Sequence, residues 1–356
     1  MTHRRYDQLS LLDQFIDPGR SKSDRFFQSI DHSVDWEPIE EELSVIHGSR
    51  MGRPGITPLL LFKVLLIQRF YNLGDEAAED ALNDRKSFAR FVGLPLDEPA
   101  PDHSSISRFR SELVRRGLMD KLIASLTGQI QAKGLILKQG TLMDASFITS
   151  AAHPPSAPRK PKDKPSPAEA AAQPASETPA APDAAAEDQD PFTAGKRSRV
   201  DPDARWAKKG HKAYFGYKLH IAIDDEHRIV RTHRLTPANV NDCEVGPDLV
   251  QPDGGAHYAD KGYPSQPLRD KLAAHRLADG IMQLGTKHYP LSPASRRRNR
   301  LLAGVRSKVE GVFAETKCRL GLLRARYMGL DKVQFECDLV VFAFNLKSMA
   351  LALAKT

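Results

Sequence analysis

Between Pro154 and Pro191 the chain runs for 38 residues without a Leu, Ile, Val, Met or aromatic side chain, and places 10 prolines and 11 alanines there. Such a stretch cannot bury enough apolar surface to offset the entropy of ordering it, so it is predicted to be a disordered insertion. Its start is basic (Arg159, Lys160, Lys162, Lys164) and its end acidic (Glu187, Asp188, Asp190). Loop closure costs grow only logarithmically with length. The segments on either side, up to about residue 152 and from about residue 200, can therefore belong to one domain rather than two. The rest of the 356 residues, in a chain 40% hydrophobic, is long enough for two cores.

Before the insertion the pattern is helical. Phe26, Phe27, Ile30, Val34, Ile39 and Leu43 recur at helical spacing across Ser23 to Glu42. Gly52-Arg-Pro-Gly55 reads as a turn. Thr57 and Pro58 form an N-cap and a first-position proline, and Leu59 to Tyr71 is apolar enough to run through the middle of a bundle. Short helices are expected over Asp75–Asn83 and Lys86–Val92. A longer one opens at Pro101-Asp-His-Ser104 and runs toward Ile130 with a break near Gly117. From Gly134 the period changes. Gly140–Asp144 and Ala256–Asp260 read as short buried strands ending in a carboxylate, and Tyr214–Asp224 with Arg228–Leu235 as an antiparallel pair. Helices over Asp242–Leu249 and Pro264–Leu277, a strand over Gly280–Gly285, and long helices over Ser295–Leu322 and Lys332–Ala354 complete a mixed α/β domain. The division expected is a helical domain over 1–133 and an α/β domain over 134–356, interrupted at 152–200. No membrane span is expected: Leu339–Ala354 is short and carries Asn345, Lys347 and Ser348. The first residues have no apolar signal core, and Cys243, Cys318 and Cys337 lack metal-finger spacing, which together point to the cytosol.

Asp144 and Asp260 stand at strand ends, where open α/β sheets bind ligands. Two such carboxylates repel unless a positive charge lies between them, and Mg²⁺ is a hard, oxygen-seeking ion suited to that place. Either aspartate taken alone also serves as a turn cap. On the helix from Ser295, at about 100° per residue, Glu310 and Lys317 fall within roughly 40° of Arg306, beside the apolar stripe of Leu302, Val305, Val309, Phe313 and Thr316. Alone, Arg306 and Glu310 are an ordinary i,i+4 pair. Together with the aspartates, Glu310 completes three carboxylates that suit two-metal phosphoryl transfer, with Arg306 and Lys317 holding a DNA phosphate nearby.

Charge supports a nucleic-acid partner. From Lys287 to Arg326 there are eleven Lys and Arg against Glu310 and Glu315, so the +7 of the chain is concentrated here and the remainder is slightly acidic. Arg296, Arg297, Arg298 and Arg300 form its densest cluster. Ser104, Ser105, Arg108 and Arg110, at the start of a helix that follows short helices, suit a helix-turn-helix contact to DNA and equally suit an exposed bundle face. His220, Asn239, Asp242 and Tyr263 read as ordinary sheet, turn and packing residues, although His220 can line the site and Tyr263 sits near the second aspartate.

Asp144, Asp260 and Glu310, in that order, resemble the Asp-Asp-Glu triad of bacterial insertion-sequence transposases with an RNase H-like core. Arg306, Glu310 and Lys317 match the spacing of that family's Tyr-x2-Arg-x3-Glu-x6-Lys signature, with Ala303 at the tyrosine position. Phe215-Gly-Tyr-Lys-Leu-His220, Leu235-Thr-Pro-Ala-Asn239, Ala259-Asp-Lys-Gly-Tyr263, Phe344-Asn-Leu346, Gly52-Arg-Pro-Gly55 and Pro101-Asp102 with Ser107-Arg-Phe-Arg110 extend the resemblance over nearly the whole chain. The resemblance implies an RNase H-like mixed sheet flanked by helices and preceded by an all-α bundle. It also implies a DNA transposase that recognises terminal inverted repeats, cleaves at the ends and joins 3′-OH groups to target DNA. Mg²⁺, with Mn²⁺ as substitute, would be held by Asp144, Asp260 and Glu310. The protein would act as a homodimer or higher multimer on paired ends, in the bacterial nucleoid and off any membrane. A metal-dependent endonuclease without strand transfer, or a DNA-binding regulator with a decayed site, shares most of these residues. The intact carboxylate set speaks against decay, while Ala303 leaves room for altered function.

Overall fold

In a computed structural model the described residues are 21–46, 55–95, 97–136, 138–154, 198, 200–253, 255–286 and 288–354. Nearly all of the Pro/Ala insertion, the first twenty residues, Lys287 and the first three residues of the Gly52–Gly55 turn lie outside them.

Seven helices come first: α1 (Lys22–Ser33), α2 (Glu37–Leu43), α3 (Pro58–Tyr71), α4 (Asp75–Asp84), α5 (Lys86–Val92), α6 (His103–Arg116) and α7 (Met119–Ala132). The helical spacing read across Ser23–Glu42 is carried by two helices, because Val34 turns extended and ends the first, and Pro38 lies in the opening turn of the second. Thr57 caps α3 by accepting the Leu60 N–H, and Asp102 caps α6 by accepting the Ser105 N–H. Gly117, with φ +59°, ends α6 in the left-handed conformation that glycine adopts without strain. Phe27, Ile30, Ile39, Leu43, Phe62, Phe88, Ile106 and Leu122 are among the buried residues of this bundle.

Then follow β1 (Gly140–Thr149), β2 (Arg205–Lys209), β3 (Lys212–Asp224), β4 (Val230–Pro237), α8 (Asp242–Val245), a 3₁₀ turn over Gly246–Leu249, β5 (Ala256–Ala259), α9 (Gln266–Ala274), β6 (Ala278–Ile281), α10 (Pro293–Cys318) and α11 (Leu330–Leu353). The six strands form one mixed sheet in the order β2-β3-β1-β5-β6, with β4 also paired to β3. β1 is antiparallel to β3 and parallel to β5, and β5 is parallel to β6. Three expectations change. β6 covers Ala278–Ile281 rather than Gly280–Gly285. β1 does not end at Asp144 but continues to Thr149, because Ala145 to Thr149 pair with Gly216 to His220 of β3. A further strand, β2, stands between the insertion and β3. Gly216 is required where β1 and β3 meet: a Cβ there would lie 2.2 Å from the Ile148 carbonyl oxygen.

Helices cover both faces of the sheet. On one, Leu142, Tyr217, Leu219 and Ile221 pack with Val309 and Phe313 of α10 and Val340 and Phe344 of α11. On the other, Met143 and Ala222 pack with Val245, Tyr263, Leu268 and Leu272. α11 also enters the helical bundle, where Phe335, Leu339, Phe342, Leu346 and Met349 are buried beside α1, α3 and α7. Asn345, in the Phe344-Asn-Leu346 motif, is buried and exchanges two 2.8 Å hydrogen bonds with the Val230 backbone, locking α11 to β4. Among the described residues no helix is long and apolar enough to cross a membrane.

Candidate active site

The β1–β5 register pairs Leu142 with Tyr258, and two residues further along each chain stand Asp144 and Asp260. β5 has ended by then while β1 runs on, so the two carboxylates meet at the carboxyl end of β5 on adjacent parallel strands. Asp144 Oδ1 accepts its neighbour Ala145 N–H at 2.8 Å. Asp260 Oδ1 accepts the Gly262 N–H at 2.7 Å, which fixes the turn after β5.

α10 reaches over this end. Val309, Val312, Phe313 and Thr316 are buried beneath it, and Arg306 projects from the edge of that stripe. The Arg306 Nη2 lies 3.2 Å from Asp144 Oδ2. A guanidinium therefore stands beside the first carboxylate, where strand-end chemistry alone suggests a metal ion, and Arg306 faces a carboxylate rather than open solvent. Burial pushes the Asp144 carboxyl above its usual range; Arg306 and the Ala145 amide oppose that rise, and the negative charge of Asp260 adds to it. Glu310, one turn along, is exposed and forms no ion pair among the described residues. Lys317 is half-buried, and its ammonium is pushed below the usual lysine range by burial and by Lys209 at the end of β2.

The other candidates separate into two groups. Arg296, Arg297 and Arg300 are exposed on the first turns of α10, and Arg108 on α6 is exposed and held to Ser104 Oγ at 3.1 Å. Arg298 is instead committed to the backbone of β6, donating to Ile281 O at 2.8 Å and Asp279 O at 2.7 Å. Arg110 turns inward: it is 8% exposed, paired with Asp75, and lies over the Tyr327 ring. A position inside α6 rather than on its outer face explains this, since Phe109 and Leu113 of the same helix are buried.

Two groups near the carboxylates carry no site role in the sequence alone. Tyr263 is fully buried, and its Oη has no hydrogen-bond partner among the described residues. Burial raises its hydroxyl well above the ordinary tyrosine range, and Asp242, Asp144 and Asp260 raise it further. Asp242, at the start of α8, takes Lys218 Nζ on Oδ1 at 2.9 Å. The signal for both is the short distance along the chain from Asp260 to Tyr263 and from the end of β4 to Asp242. It has no use without the strand order.

Two hard carboxylate donors on adjacent strands, one of them desolvated, beside a buried hydroxyl without a partner, fit a divalent cation with oxygen preference. Among the described residues no three His, Cys, Asp or Glu side chains stand together as a complete ligand set.

The chain matches the family described as "Transposase DDE domain" over residues 138–346, and the family described as "Transposase domain (DUF772)" over residues 12–112. A solved structure titled "Crystal structure of a pre-cleavage Mos1 transpososome" aligns with 96% of this chain and 90% of that one, at 11% identity and a TM-score of 0.19, a superposition too loose to add to the family match.

Proposed function

The chain belongs to the DDE-domain transposase family, its mixed sheet being the RNase H-like core of that family, and on this premise we propose that it binds the terminal inverted repeats of a mobile element, cleaves DNA at their ends and joins the freed 3′-OH to target DNA. The observation that carries this reading is the convergence of Asp144 on β1 and Asp260 just past the end of the parallel strand β5, with Arg306 reaching Asp144 from the covering helix. Asp144, Asp260 and Glu310 would hold Mg²⁺, or Mn²⁺ in its place. When bound, such ions lower the pKa of an attacking water or hydroxyl and stabilise the departing oxygen of an in-line displacement. Arg306 favours the ionised form of Asp144 against its burial, and it is the nearest cation to a phosphate brought against that carboxylate. Lys317 lies further along the same face of α10, with its charge stressed by Lys209, and gains from an incoming phosphate.

The Arg306, Glu310 and Lys317 spacing supports placement in the Tyr-Arg-Glu-Lys branch, with Ala303 in place of its tyrosine. Residues 1–133 would supply sequence recognition through α6 and its exposed Arg108, and residues 134–356 catalysis, with Arg296, Arg297 and Arg300 gripping the DNA backbone. Pairing two ends requires a dimer or higher multimer, acting on DNA in the bacterial nucleoid. The test is a labelled end fragment incubated with Mg²⁺ or Mn²⁺. Unmodified protein should nick the fragment and join it to a target, and Asp144→Ala, Asp260→Ala and Glu310→Ala should each lose both steps. Retained cleavage and joining in all three would remove the triad. Cleavage without joining by the unmodified protein would favour an endonuclease.

A further inference from the structure

Asp242, at the start of α8, and Asp260, just past the end of β5, come to the same point. A Cβ placed on Gly262 would lie 3.0 Å from Asp260 Oδ1 and 3.3 Å from Asp242 Oδ2. The two oxygens are therefore no farther apart than the sum of those distances. Helix capping does not explain the position of Asp242. In the first turn of α8 it is Glu244 Oε1 that accepts the Asn241 N–H, at 3.4 Å, while Asp242 bonds no backbone amide among the described residues. Its Oδ1 is fixed by Lys218 Nζ at 2.9 Å, and Lys218 is itself held by Val240 O at 2.6 Å. Its Oδ2 is left on the side of Gly262, beside which Asp260 Oδ1 also lies.

The surroundings are unfinished in the same place. Tyr263 Oη, fully buried, has no partner among the described residues, and the charges that act on it include those of Asp242, Asp144 and Asp260. His220 Nδ1, also fully buried and without a hydrogen bond among the described residues, lies 3.9 Å from Asp242 Oδ1, while its Nε2 meets Thr236 Oγ1 at 3.1 Å. Buried polar atoms in native proteins are rarely left unpaired, and two such atoms, each acting on Asp242, mark where water or a ligand belongs. The charge arrangement says which kind. Asp144 has Arg306 beside it and Asp242 has Lys218, but Asp260 forms no ion pair among the described residues. Asp144, which also feels the charge of Lys209, and Asp242 thus each have a cation at hand, and Asp260 is the carboxylate with room for one.

We propose that Asp242 is a fourth carboxylate of the metal site, presenting Oδ2 to a hard divalent cation held with Asp260. Magnesium needs only one or two protein carboxylates, the rest of its shell being water and phosphate oxygen, so an Asp260–Asp242 pair is sufficient without a third close ligand. Lys218 then acts as the outer partner that orients a ligating carboxylate. This rests on the reading of Asp144 and Asp260 as metal carboxylates, and the experiment separates the two.

The measurement is Mn²⁺ affinity of the full-length protein without DNA, from the electron paramagnetic resonance signal of the free ion. Asp242→Asn should weaken binding about ten-fold or more, the scale of effect seen for groups that tune a metal site, and Asp260→Asn should weaken it at least as much. Unchanged Mn²⁺ affinity in Asp242→Asn, with binding abolished in Asp260→Asn, overturns the role of Asp242 alone. Unchanged affinity in both overturns the carboxylate metal site itself. A lowered melting temperature in metal-free Asp242→Asn with intact Mn²⁺ affinity also overturns the proposal, since it assigns Asp242 to holding Lys218. Should Asp242→Asn fail to fold, Gly262→Ala serves instead. It is an exposed position where the added methyl presses on both carboxylate oxygens, and an Mn²⁺ affinity equal to that of the unmodified protein would overturn the pairing.

Discussion

In the helical core the buried polar groups have found one another. Arg69, 2% exposed, lies 2.8 Å from Glu336, whose second oxygen accepts the Arg326 N–H at 2.9 Å, and Gln68 donates to Asp75 at 2.7 Å. At the carboxylate end of the sheet they have not. Asp144 is desolvated within reach of Asp260, and Tyr263 Oη and His220 Nδ1 are buried without partners among the described residues. A region selected only to stay folded satisfies its polar atoms. A region that must accept substrate and ions keeps groups whose partners arrive later, at a cost in stability borne by the rest of the molecule.

The strongest way to break this contrast is to remove one partner from the helical core. Glu336→Ala strands Arg69 without its counter-charge and should lower unfolding free energy by about 3–5 kcal/mol. A urea titration that finds less than about 1 kcal/mol would mean the pair is not buried in solution. pH sharpens the contrast next. His220 on β3 and His257 on β5 are buried, and their imidazoles are pushed down to about 3 and about 4, chiefly by burial. An unfolded imidazole protonates near pH ~6.5. Below that pH the unfolded chain takes up protons that the folded chain refuses. Stability should therefore fall as pH drops from about 6.5 toward 4, by up to about 1.4 kcal/mol per unit for each ring. His257→Gln should remove about half of that slope, as measured by denaturation at a series of pH values.

At the site the sign is different. Asp144→Asn removes a charge that burial and Asp260 both disfavour, and should cost less than about 1 kcal/mol while abolishing DNA cleavage. A loss as large as that of Glu336→Ala would place Asp144 among the structural groups. The smallest effect on stability belongs to the exposed arginines. Replacing Arg296, Arg297 and Arg300 by Ala should leave unfolding within about 0.5 kcal/mol. It should nonetheless reduce the slope of log affinity against log salt for duplex DNA by about 1 for each phosphate that goes unneutralised. An unchanged slope would remove this cluster from the DNA interface.

Legibility in the sequence follows the same contrast. Helices with local signals are legible: Thr57 with Pro58, Asp102 with Ser105, and Gly117 all act within a turn of where they stand. The β3–β4 pair and the strand ending before Asp260 are legible because their alternation is local. β1 beyond Asp144 and the whole of β2 are not, since each is held by pairing with β3 rather than by its own pattern. Arg110 reads as a DNA-facing residue because nothing near it in sequence announces Asp75 or Tyr327. Asp144 and Asp260 follow from strand-end chemistry. Asp242 and Tyr263 join them only once the order of strands puts α8 and the turn after β5 side by side.

The helix α11 belongs to two cores, and that sets the order in which the molecule can be assembled. A ribosome finishes α7 at Ala132 and reaches Leu330 only after the entire sheet has been made. At about 5–20 residues per second, that interval is on the order of tens of seconds. Through all of it α1, α3 and α7 expose the apolar surface that Phe342, Leu346 and Met349 will later cover. The part made first is closed last. A chain interrupted before α11 would leave the bundle open and one face of the sheet covered only in part, by α10, so completion of both cores waits on the same helix.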